Sequence, residues 1–241
     1  MKVKPYQKLA LIYDRVMKTV DYDSWTKYIL EIASNNLKSD ATVLELASGN
    51  CNMAKIISKK YPDFIATDIS FSMLKSANDF GIEKVCCDMS KLPFNKKFDF
   101  IFSAFDSINY LLSKKELHNF FKEVLFILSK NGIFTFDVSL ERNSIEYEVS
   151  NKVEDNYDVY NFERINNYNK RNRIHYNEFN ITDSTGNNFK EIHKQKIYDI
   201  MTYFSLAEKV GFHIEACYDC FTFNDLKEDS ERAQFILKRA K

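Results

Sequence analysis

Two acidic residues and one glycine stand close together between residues 41 and 68, each beside a run of apolar residues. Val43–Leu46 is apolar except for Glu45, and small, turn-forming residues, among them Gly49, follow it. This pattern predicts a buried strand that breaks into a tight turn. Asp68 ends the next apolar run, where a carboxylate is placed to accept hydrogen bonds from a ribose diol. Such a charge-assisted bond contributes roughly 1.5–3 kcal/mol, so the stretch predicts the binding of a nucleoside-containing cofactor.

The segments between these residues have the periods of a helix and a second strand. Residues 53–61 show helical spacing that stops at Pro62, and residues 63–67 then predict a strand. A strand, a turn, a helix and a strand in this order predict a parallel βαβ unit.

The whole region resembles class I S-adenosylmethionine-dependent methyltransferases. The segments that carry the resemblance are 45–51 (the acidic-x-Gly-x-Gly-x-Gly loop), 65–74 (the second motif), 85–93 (the third), 98–103 (the fourth strand) and 128–136 (the turn into the fifth strand). They occur in order and at the usual spacing. The resemblance implies S-adenosylmethionine as the cofactor, with Asp68 on the ribose, Met73 near the adenine and Asp88 at the adenine amino group. The complete set that it assigns to the cofactor is Tyr13, Trp25, Glu45, Ala47, Gly49, Asp68, Ile69, Met73, Asp88, Met89 and Ser103.

Two of the three loop glycines of that family are replaced here, by Ala47 and Cys51. Glycine serves such a loop because it adopts positive φ and lets a ligand approach the backbone. Ala47 fits if its φ is negative, and Cys51, where the helix begins, needs only to be small. A dinucleotide loop would require glycine at 47, 49 and 52, where Asn52 stands, because a pyrophosphate needs that close approach. The sequence therefore favours a methyl donor over NAD.

The composition is that of a soluble globular protein with one sizeable core, or a core and a small appendage. Of 241 residues, 45% are hydrophobic and 28% charged, with 34 basic and 34 acidic side chains. This balance gives no field that would draw the chain to nucleic acid or to an anionic membrane. Five scattered cysteines suit a reducing compartment, and no apolar run has the length of a membrane span or a secretory signal. We expect a cytoplasmic monomer or homodimer whose partner is a small-molecule methyl acceptor.

Two helices are predicted before the first strand, over residues 5–17 and 22–37. Together they resemble the N-terminal helical cover of small-molecule methyltransferases, in which aromatic residues close over the methionine end of the cofactor. The aromatic candidates are Tyr6, Tyr13, Tyr22 and Trp25. A sulfonium is a cation, and an aromatic face over a desolvated cation contributes up to ~2 kcal/mol. The alternative is that these side chains only pack on the sheet.

A nearly apolar strand over residues 97–103 is followed by a loop at its carboxyl end, the edge where open α/β sheets bind ligands. In this loop Asp106, Asn109 and Tyr110 are candidates for orienting a substrate, together with Tyr6 and Tyr22 from the cover. If the reaction uses a base, Asp106 and Tyr13 are the catalytic candidates. The alternative is a loop that only caps and packs.

From about residue 142 the pattern changes to alternation. Strands are predicted over 157–168, 173–182 and 189–197, so residues 142–198 read as an antiparallel insertion over the site. The core then comprises 38–141 and 199–241, and residues 1–37 form the cover. A helix over 197–210, ended by Gly211, and strands over 212–223 and 233–238 complete the chain. The expected fold is a doubly wound, mostly parallel α/β sheet, with seven strands and an antiparallel last strand by resemblance.

The expected reaction is in-line methyl transfer from S-adenosylmethionine to an amine or hydroxyl of a small molecule, with the nucleophile held ~3–3.5 Å from the methyl carbon. One alternative is an RNA-modifying enzyme that uses basic and aromatic residues of the insertion, namely Arg164, Tyr168, Lys170, Arg171, Arg173 and Tyr176. Another is a cofactor-binding protein without catalysis, as the loss of loop glycines suggests. No metal site is expected, because strand alternation sends Cys217 and Cys220 to opposite faces.

Overall fold

A computed structural model describes residues 1–34, 37–149 and 152–241, and these residues form a seven-stranded sheet, a four-stranded sheet and seven α-helices. The strands are β1 (Val43–Leu46), β2 (Phe64–Asp68), β3 (Glu83–Cys86), β4 (Phe98–Ser103), β5 (Leu128–Ser139), β6 (Lys152–Tyr157), β7 (Tyr160–Asn169), β8 (Ile174–Thr182), β9 (Asn188–Lys196), β10 (Phe212–Asp219) and β11 (Arg232–Arg239). The helices are α1 (Tyr13–Val16), α2 (Tyr22–Ser34), α3 (Asn52–Ile57), α4 (Phe71–Ser76), α5 (Lys114–Ile127), α6 (Glu141–Val149) and α7 (Ile200–Val210). Two 3₁₀ helices cover Leu9–Leu11 and Ser107–Tyr110.

The larger sheet has the strand order β10-β11-β5-β4-β1-β2-β3. Strands β1 to β5 are parallel to their neighbours among themselves, and β11 runs antiparallel to both β5 and β10. The predicted doubly wound sheet with an antiparallel last strand is confirmed. The strand order reverses between β1 and β4, and the crevice outside the carboxyl ends of such strands is where a ligand binds.

The central strands are covered on both faces, which explains their nearly unbroken apolar sequences. All residues of β1 and β2 are buried. Helices α5 and α7 contribute to the apolar cluster on one face, and α2 and α3 to the cluster on the other. Helix α5 begins with a capping box between Ser113 and Glu116, which satisfies backbone N–H groups that the helix itself leaves free. This packing holds the carboxyl ends of the strands in fixed positions.

The insertion forms a four-stranded antiparallel sheet in the order β6-β7-β8-β9. Three of its strands were predicted; β6 and the helix α6 before it were not, so that prediction was wrong in part. Strand β6 is mostly exposed and charged, which removes the apolar alternation by which strands are recognised. The inner face of this sheet packs Phe162, Phe179 and Ile181 against Leu9 and Ile12 of the N-terminal segment.

The N-terminal segment is less helical than predicted. Only the 3₁₀ turn Leu9–Leu11 and α1 form within residues 5–17, because the carboxylate of Glu191 accepts hydrogen bonds from the backbone N–H groups of Tyr6, Lys8 and Leu9. The second predicted helix begins at Tyr22 as expected and ends at Ser34; residues 35 and 36, which that prediction included, lie outside the described part of the chain.

Residues 128–132 differ from the prediction as well. They belong to β5 instead of forming a turn before it. The pairing of β5 with β4 shifts register between Phe98 and Phe100, and this irregularity accommodates the polar residues 129–131 within the strand.

Candidate active site

A cavity of about 820 Å³ lies at the carboxyl ends of β1, β2 and β4. Its floor is the turn after β1, and its sides come from the segments after β2, β3 and β4. The N-terminal segment closes the remaining side with Tyr6 and Tyr13. Since the carboxyl ends of parallel strands meet at one edge of the sheet, the four segments after β1, β2, β3 and β4 converge there without any long-range adjustment of the chain.

The turn after β1 has three residues with positive φ at every second position: Ala47 at 55°, Gly49 at 57° and Cys51 at 63°. The condition under which Ala47 would fit without strain, a negative φ, is therefore not met, and Cys51 is constrained in conformation as well as in size. The backbone is held by hydrogen bonds from the N–H of Ser48 to the carbonyl of Thr67 and from the N–H of Cys51 to the carbonyl of Ser48, both 2.8 Å. The backbone path that makes these bonds has left-handed residues at positions 47, 49 and 51, whatever side chains they carry.

Asp68 connects this turn to the end of β2. Its Oδ2 accepts a hydrogen bond from the N–H of Gly49 at 2.8 Å, and its Oδ1 accepts one from the N–H of Ser70 at 2.7 Å. Burial raises the pKa of Asp68, and these two hydrogen bonds oppose the shift. A Cβ atom added at Gly49 would lie 3.2 Å from Cε of Met73, so the backbone of the turn lies close to a side chain that lines the cavity. A carboxylate fixed in this way is ready to accept further hydrogen bonds from a ligand.

Glu45 lies behind the turn and is 3% exposed, yet its Oε2 has no hydrogen-bond partner in the described part of the chain. Burial raises the pKa of Glu45 well above its ordinary value, and the nearby negative charge of Asp68 raises it further. A buried acceptor without a partner is costly, and it borders the cavity. The arrangement is suited to a cationic ligand that would satisfy this oxygen and favour its ionised form.

The tyrosine wall, which we define as Tyr6, Tyr13 and Tyr110, forms the side of the cavity nearest the insertion. The hydroxyl groups of Tyr6 and Tyr110 lie 2.7 Å apart, and the rings of Tyr6 and Tyr13 meet edge to face with centroids 6.2 Å apart. Asp14, next to Tyr13, accepts hydrogen bonds from the side chains of Asn50 and Asn52 at 2.6 and 3.3 Å. The N-terminal segment is thereby attached to the turn after β1.

Most of the residues predicted from the sequence border this cavity. The structure brings together Tyr6, Tyr13, Tyr22, Glu45, Ala47, Gly49, Asp68, Ile69, Met73, Asp88, Met89 and Tyr110. Asp88 accepts hydrogen bonds from the backbone and hydroxyl of Ser90, both 2.8 Å. Ile69 is 68% exposed, so its side chain is available to a ligand.

Four predicted residues do not border the cavity. The ring centroids of Trp25 and Phe105 lie 4.4 Å apart. Phe105 lines the cavity, so Trp25 supports it from behind. Asn109 is fully buried and bonds to backbone groups of Ser139 and Lys196. Ser103 is buried at the end of β4. Trp25 and Asn109 thus serve packing and loop attachment, whereas the hydroxyl of Ser103 has no hydrogen-bond partner within the described residues.

Asp106 is the fourth of these residues, and it was predicted to be catalytic. Its Oδ2 accepts a hydrogen bond from Gln195 at 2.9 Å, and its Oδ1 lies 3.4 Å from the guanidinium of Arg232, which also pairs with Asp137. These partners draw the carboxylate away from the cavity that the neighbouring Phe105 and Ser107 line. The loop after β4 thus borders the cavity through Phe105 and Ser107, while Asp106 does not.

Several residues of the site were missed. Ser70, Phe71, Ser90 and Phe105 line the cavity, and each lies next to a predicted residue, so the motifs had located their segments. Glu191 and His193 in β9 were not predicted at all. Both are buried on the inner face of the small sheet, as the alternation of that strand would have allowed one to predict.

The basic and aromatic residues considered for RNA binding do not form one exposed surface. The Arg164 guanidinium donates to Asn177, at 2.7 Å for the shorter contact, while Tyr168 and Arg173 both contact Glu141. Only Lys170 and Arg171 stand exposed at the β7–β8 turn. Within the described residues no group of histidines, cysteines and acids is arranged to hold a metal, and no helix has the length and apolarity to cross a bilayer.

Comparison with known proteins agrees with this geometry. Residues 43–132 match a family model described as a methyltransferase domain. A Bacillus subtilis (strain 168) protein, YqeM, whose name assigns it provisionally to the methyltransferases, is 26% identical over 98% of each chain. The crystal structure of an S-adenosylmethionine-dependent methyltransferase from Clostridium acetobutylicum ATCC 824 is 26% identical and superposes with a TM-score of 0.79, covering 98% of this chain and 99% of that one.

Residues 43–132 therefore form a methyltransferase domain, and the fold around it is that of a class I S-adenosylmethionine-dependent methyltransferase. The methyltransferase fold is also shared with the sugar N-methyltransferase KedS8 from Streptoalloteichus sp ATCC 53650, at 15% identity, a TM-score of 0.76 and coverage of 95% of this chain and 93% of that one. The residues present fit the cofactor, because the unpartnered oxygen of Glu45 suits a cationic group and the backbone of Gly49, which carries no side chain, borders the cavity.

We expect the methyltransferase to bind S-adenosylmethionine more tightly as the pH rises through the range in which Glu45 loses its proton, with proton release on binding. In the free protein the raised pKa of Glu45 means that the folded state holds this proton above the unfolded-state pKa of about 4.3. The free energy of unfolding therefore falls as the pH rises between those two values. Calorimetry in two buffers of different ionisation enthalpy measures the protons released.

Glu45→Gln is the control for this prediction, because the amide has nearly the same shape and does not titrate. It should bind the cofactor with no proton release attributable to this position. Equal proton release by the wild type and Glu45→Gln would show that another group responds to the ligand.

Ala47→Gly is expected to stabilise the methyltransferase by roughly 0.5 kcal/mol. A left-handed conformation costs a non-glycine residue about 1–2 kcal/mol, whereas the greater freedom of glycine in the unfolded chain costs about 0.5–1 kcal/mol. Urea unfolding measures the difference. Ala54→Gly in α3 is the control, and it should be destabilising because its backbone is helical; a destabilised Ala47→Gly would contradict the strain assigned to the turn.

Proposed function

We propose that this methyltransferase transfers a methyl group directly to an amine or hydroxyl of a small molecule. The observation that carries the proposal is that one cavity is lined both by the tyrosine wall and by Glu45, Gly49 and Asp68. When bound, S-adenosylmethionine supplies a methyl group already activated by its sulfonium. The protein then has mainly to align the acceptor, and positioning of this kind accounts for a large part of such rate enhancements.

The shape of the cavity supports a small acceptor. Its volume of about 820 Å³ lies in the upper part of the range of roughly 300–1,000 Å³ for small-molecule pockets. The N-terminal segment lies across one side, held by Glu191 and by Asp14, and Arg15 adds a two-pronged contact with Asp155 of the insertion at 2.8 and 2.9 Å. A macromolecular acceptor would have to displace these contacts.

The charge of the lining favours an acceptor that is neutral or cationic. Among the described residues that border the cavity, four carry carboxylates (Glu45, Asp68, Asp88 and Glu116) and Lys4 is the one lysine or arginine. A phosphate or carboxylate on the acceptor would find little to pair with. The shared fold with a sugar N-methyltransferase is consistent with an amine on a sugar-sized acceptor.

In this proposal each residue of the site holds one part of the cofactor. Asp68 accepts from the ribose, Asp88 meets the adenine, Ile69 and Met73 pack on the adenine, and Glu45 receives the amino group of the methionine end. Residues 1–37 and 142–198 serve as two covers on a core of 38–141 and 199–241. The acceptor then lies at the tyrosine wall.

Incubating the protein with a metabolite extract and S-adenosylmethionine carrying a labelled methyl group tests this proposal. One small molecule that bears an amine or hydroxyl should gain a single labelled methyl, as measured by mass spectrometry. Label that appears only in added RNA would support the alternative acceptor, and label in no species would overturn the proposal. A parallel incubation with Asp68→Ala controls for methylation by other enzymes in the extract.

A further inference from the structure

A continuous chain of hydrogen bonds leads from the tyrosine wall into the small sheet. The hydroxyl of Tyr6 lies 2.7 Å from that of Tyr110, and the hydroxyl of Tyr110 lies 3.0 Å from Nδ1 of His193. On the far side of the imidazole, Nε2 lies 3.1 Å from Oε2 of Glu191. His193 is 1% exposed and Glu191 0%. The chain therefore joins the cavity to a buried acid through a buried imidazole.

The ionisation state of Glu191 sets the direction in which the hydrogen bonds of this chain donate. Burial alone would raise its pKa, but hydrogen bonds from His193 and from the backbone N–H groups of Leu9 and Lys8 lower the pKa below its ordinary value. Those N–H groups, with that of Tyr6, donate at 2.5 to 2.9 Å. An ionised Glu191 can only accept, so Nε2 of His193 carries a proton and donates to it.

Nδ1 of a neutral His193 is then an acceptor, so the hydroxyl of Tyr110 donates to it. With its proton committed, the oxygen of Tyr110 accepts from the hydroxyl of Tyr6. Tyr6 borders the cavity, and its oxygen is left with free lone pairs. Burial raises the pKa of both tyrosines, so neither is a tyrosinate at rest.

We propose that Tyr6, Tyr110, His193 and Glu191 form a relay that receives the proton lost by the methyl acceptor. The inference rests on the proposed function and deepens it, because it gives the acceptor an N–H or O–H that donates to Tyr6. Tyr6 is the catalytic residue of this relay, and the other three are positioning residues that act through it. Glu191 also attaches the N-terminal segment that carries Tyr6.

The proton balance is complete within these groups. The lone pair of the acceptor forms the bond to the methyl carbon, and the electrons of the carbon–sulfur bond remain on sulfur. The acceptor's proton passes to Oη of Tyr6, the proton of Tyr6 to Oη of Tyr110, and that of Tyr110 to Nδ1 of His193. The resulting imidazolium is paired with Glu191, and the proton returns along the same chain to water once the product has left.

The positions of these protons can be tested without a methyl acceptor, by ¹⁵N spectra of histidine-labelled protein. Comparison with the spectrum of His193→Gln identifies the signals of His193. We expect Nε2 to carry a proton and Nδ1 to be an unprotonated acceptor at neutral pH. In Glu191→Gln the preference for this tautomer should weaken, since an amide can donate as well as accept. A proton on Nδ1, or a doubly protonated ring at neutral pH, would overturn the relay.

Once incubation with the extract has identified the methyl acceptor, kinetics can test whether the reaction uses the relay. His193→Gln should lower kcat on the order of 100-fold with KM for the acceptor nearly unchanged, because glutamine can still accept from Tyr110 but cannot take up its proton. The pH profile of kcat should differ between the wild type and this variant, because glutamine cannot take up a proton. The charged groups that act on this chain are Glu191 itself, Asp106 and Arg164 through space on Tyr110, and Asp68 and Asp106 through space on Tyr6.

His175 provides the matched control, because it is also buried on the inner face of the small sheet but lies beside Tyr147 and Tyr168. His175→Gln should leave kcat and its pH profile unchanged. If the wild type methylates the acceptor and His193→Gln keeps its kcat, the relay is overturned and the proposed function stands. If the wild type methylates nothing, the proposed function fails and the relay fails with it.

Discussion

Asp68→Ala is expected to bind S-adenosylmethionine about 100-fold more weakly than the wild type. The charge-assisted bond to the ribose contributes roughly 1.5–3 kcal/mol, and each 1.4 kcal/mol corresponds to about tenfold in affinity. The substitution also removes the acceptor of the Gly49 and Ser70 N–H groups at 2.8 and 2.7 Å, so the turn that faces the ligand loses its attachment to β2. Isothermal titration calorimetry measures the change.

Asp63→Ala is the matched control for this measurement. Asp63 directly precedes β2, at the opposite end from Asp68, and its carboxylate pairs with Lys96 at 3.0 Å with half of the side chain exposed. Its removal should change the affinity less than twofold, because exposed ion pairs contribute little. If Asp68→Ala binds as tightly as Asp63→Ala while both remain folded, the carboxylate does not hold the ribose and the assigned site is wrong.

Glu191→Ala is expected to release the N-terminal segment from the small sheet. The substitution leaves the backbone N–H groups of Tyr6, Lys8 and Leu9 without their acceptor, and a buried unsatisfied group costs about 1–3 kcal/mol. Because the segment can detach while the core remains folded, the loss should be local. We expect hydrogen exchange at Lys8 and Leu9 to accelerate roughly 100-fold, which corresponds to about 3 kcal/mol.

Glu178→Ala controls for the loss of a carboxylate from the same sheet. Glu178 lies on β8, where it pairs with Lys190 and accepts from Asn180 at 3.3 Å, and its side chain is about a quarter exposed. We expect the free energy of unfolding to change by no more than about 0.5 kcal/mol, and the amides of Lys8 and Leu9 to exchange hydrogen at the wild-type rate. Equal protection of those amides in the wild type and in Glu191→Ala would mean that apolar packing of Leu9 and Ile12 holds the segment without the carboxylate.

The parallel core and its ligand edge were predictable because their signals are local. The apolar run around Glu45, the helix that stops near Pro62 and the acid at the end of β2 each have a period or a boundary that reads directly from neighbouring residues. Parallel strands bring their carboxyl ends to one edge regardless of the rest of the chain. The meeting of Glu45, Gly49 and Asp68 therefore needed no knowledge of distant segments.

The conformation of the turn was not predictable from residue preferences. Alanine and cysteine favour negative φ, yet Ala47 and Cys51 are both left-handed. The hydrogen bonds that Ser48 and Gly49 donate to Thr67 and Asp68 determine the path of the backbone, and the side chains accept the strain that results. The position of the Asp106 carboxylate was not predictable for a related reason, since its partner Arg232 lies far along the chain.

The amino-acid sequence by itself thus determined the parallel sheet, the position of the turn after β1 and the two acids beside it, Glu45 and Asp68, because all of these follow from short-range periodicity and strand ends. Only the tertiary structure decided what closes the pocket. Glu191 meets the backbone of Tyr6 across 185 positions, and His193 meets Tyr110 across 83. Contacts at such separations depend on how the small sheet docks on the core, and docking is set by the summed packing of many side chains rather than by any one segment.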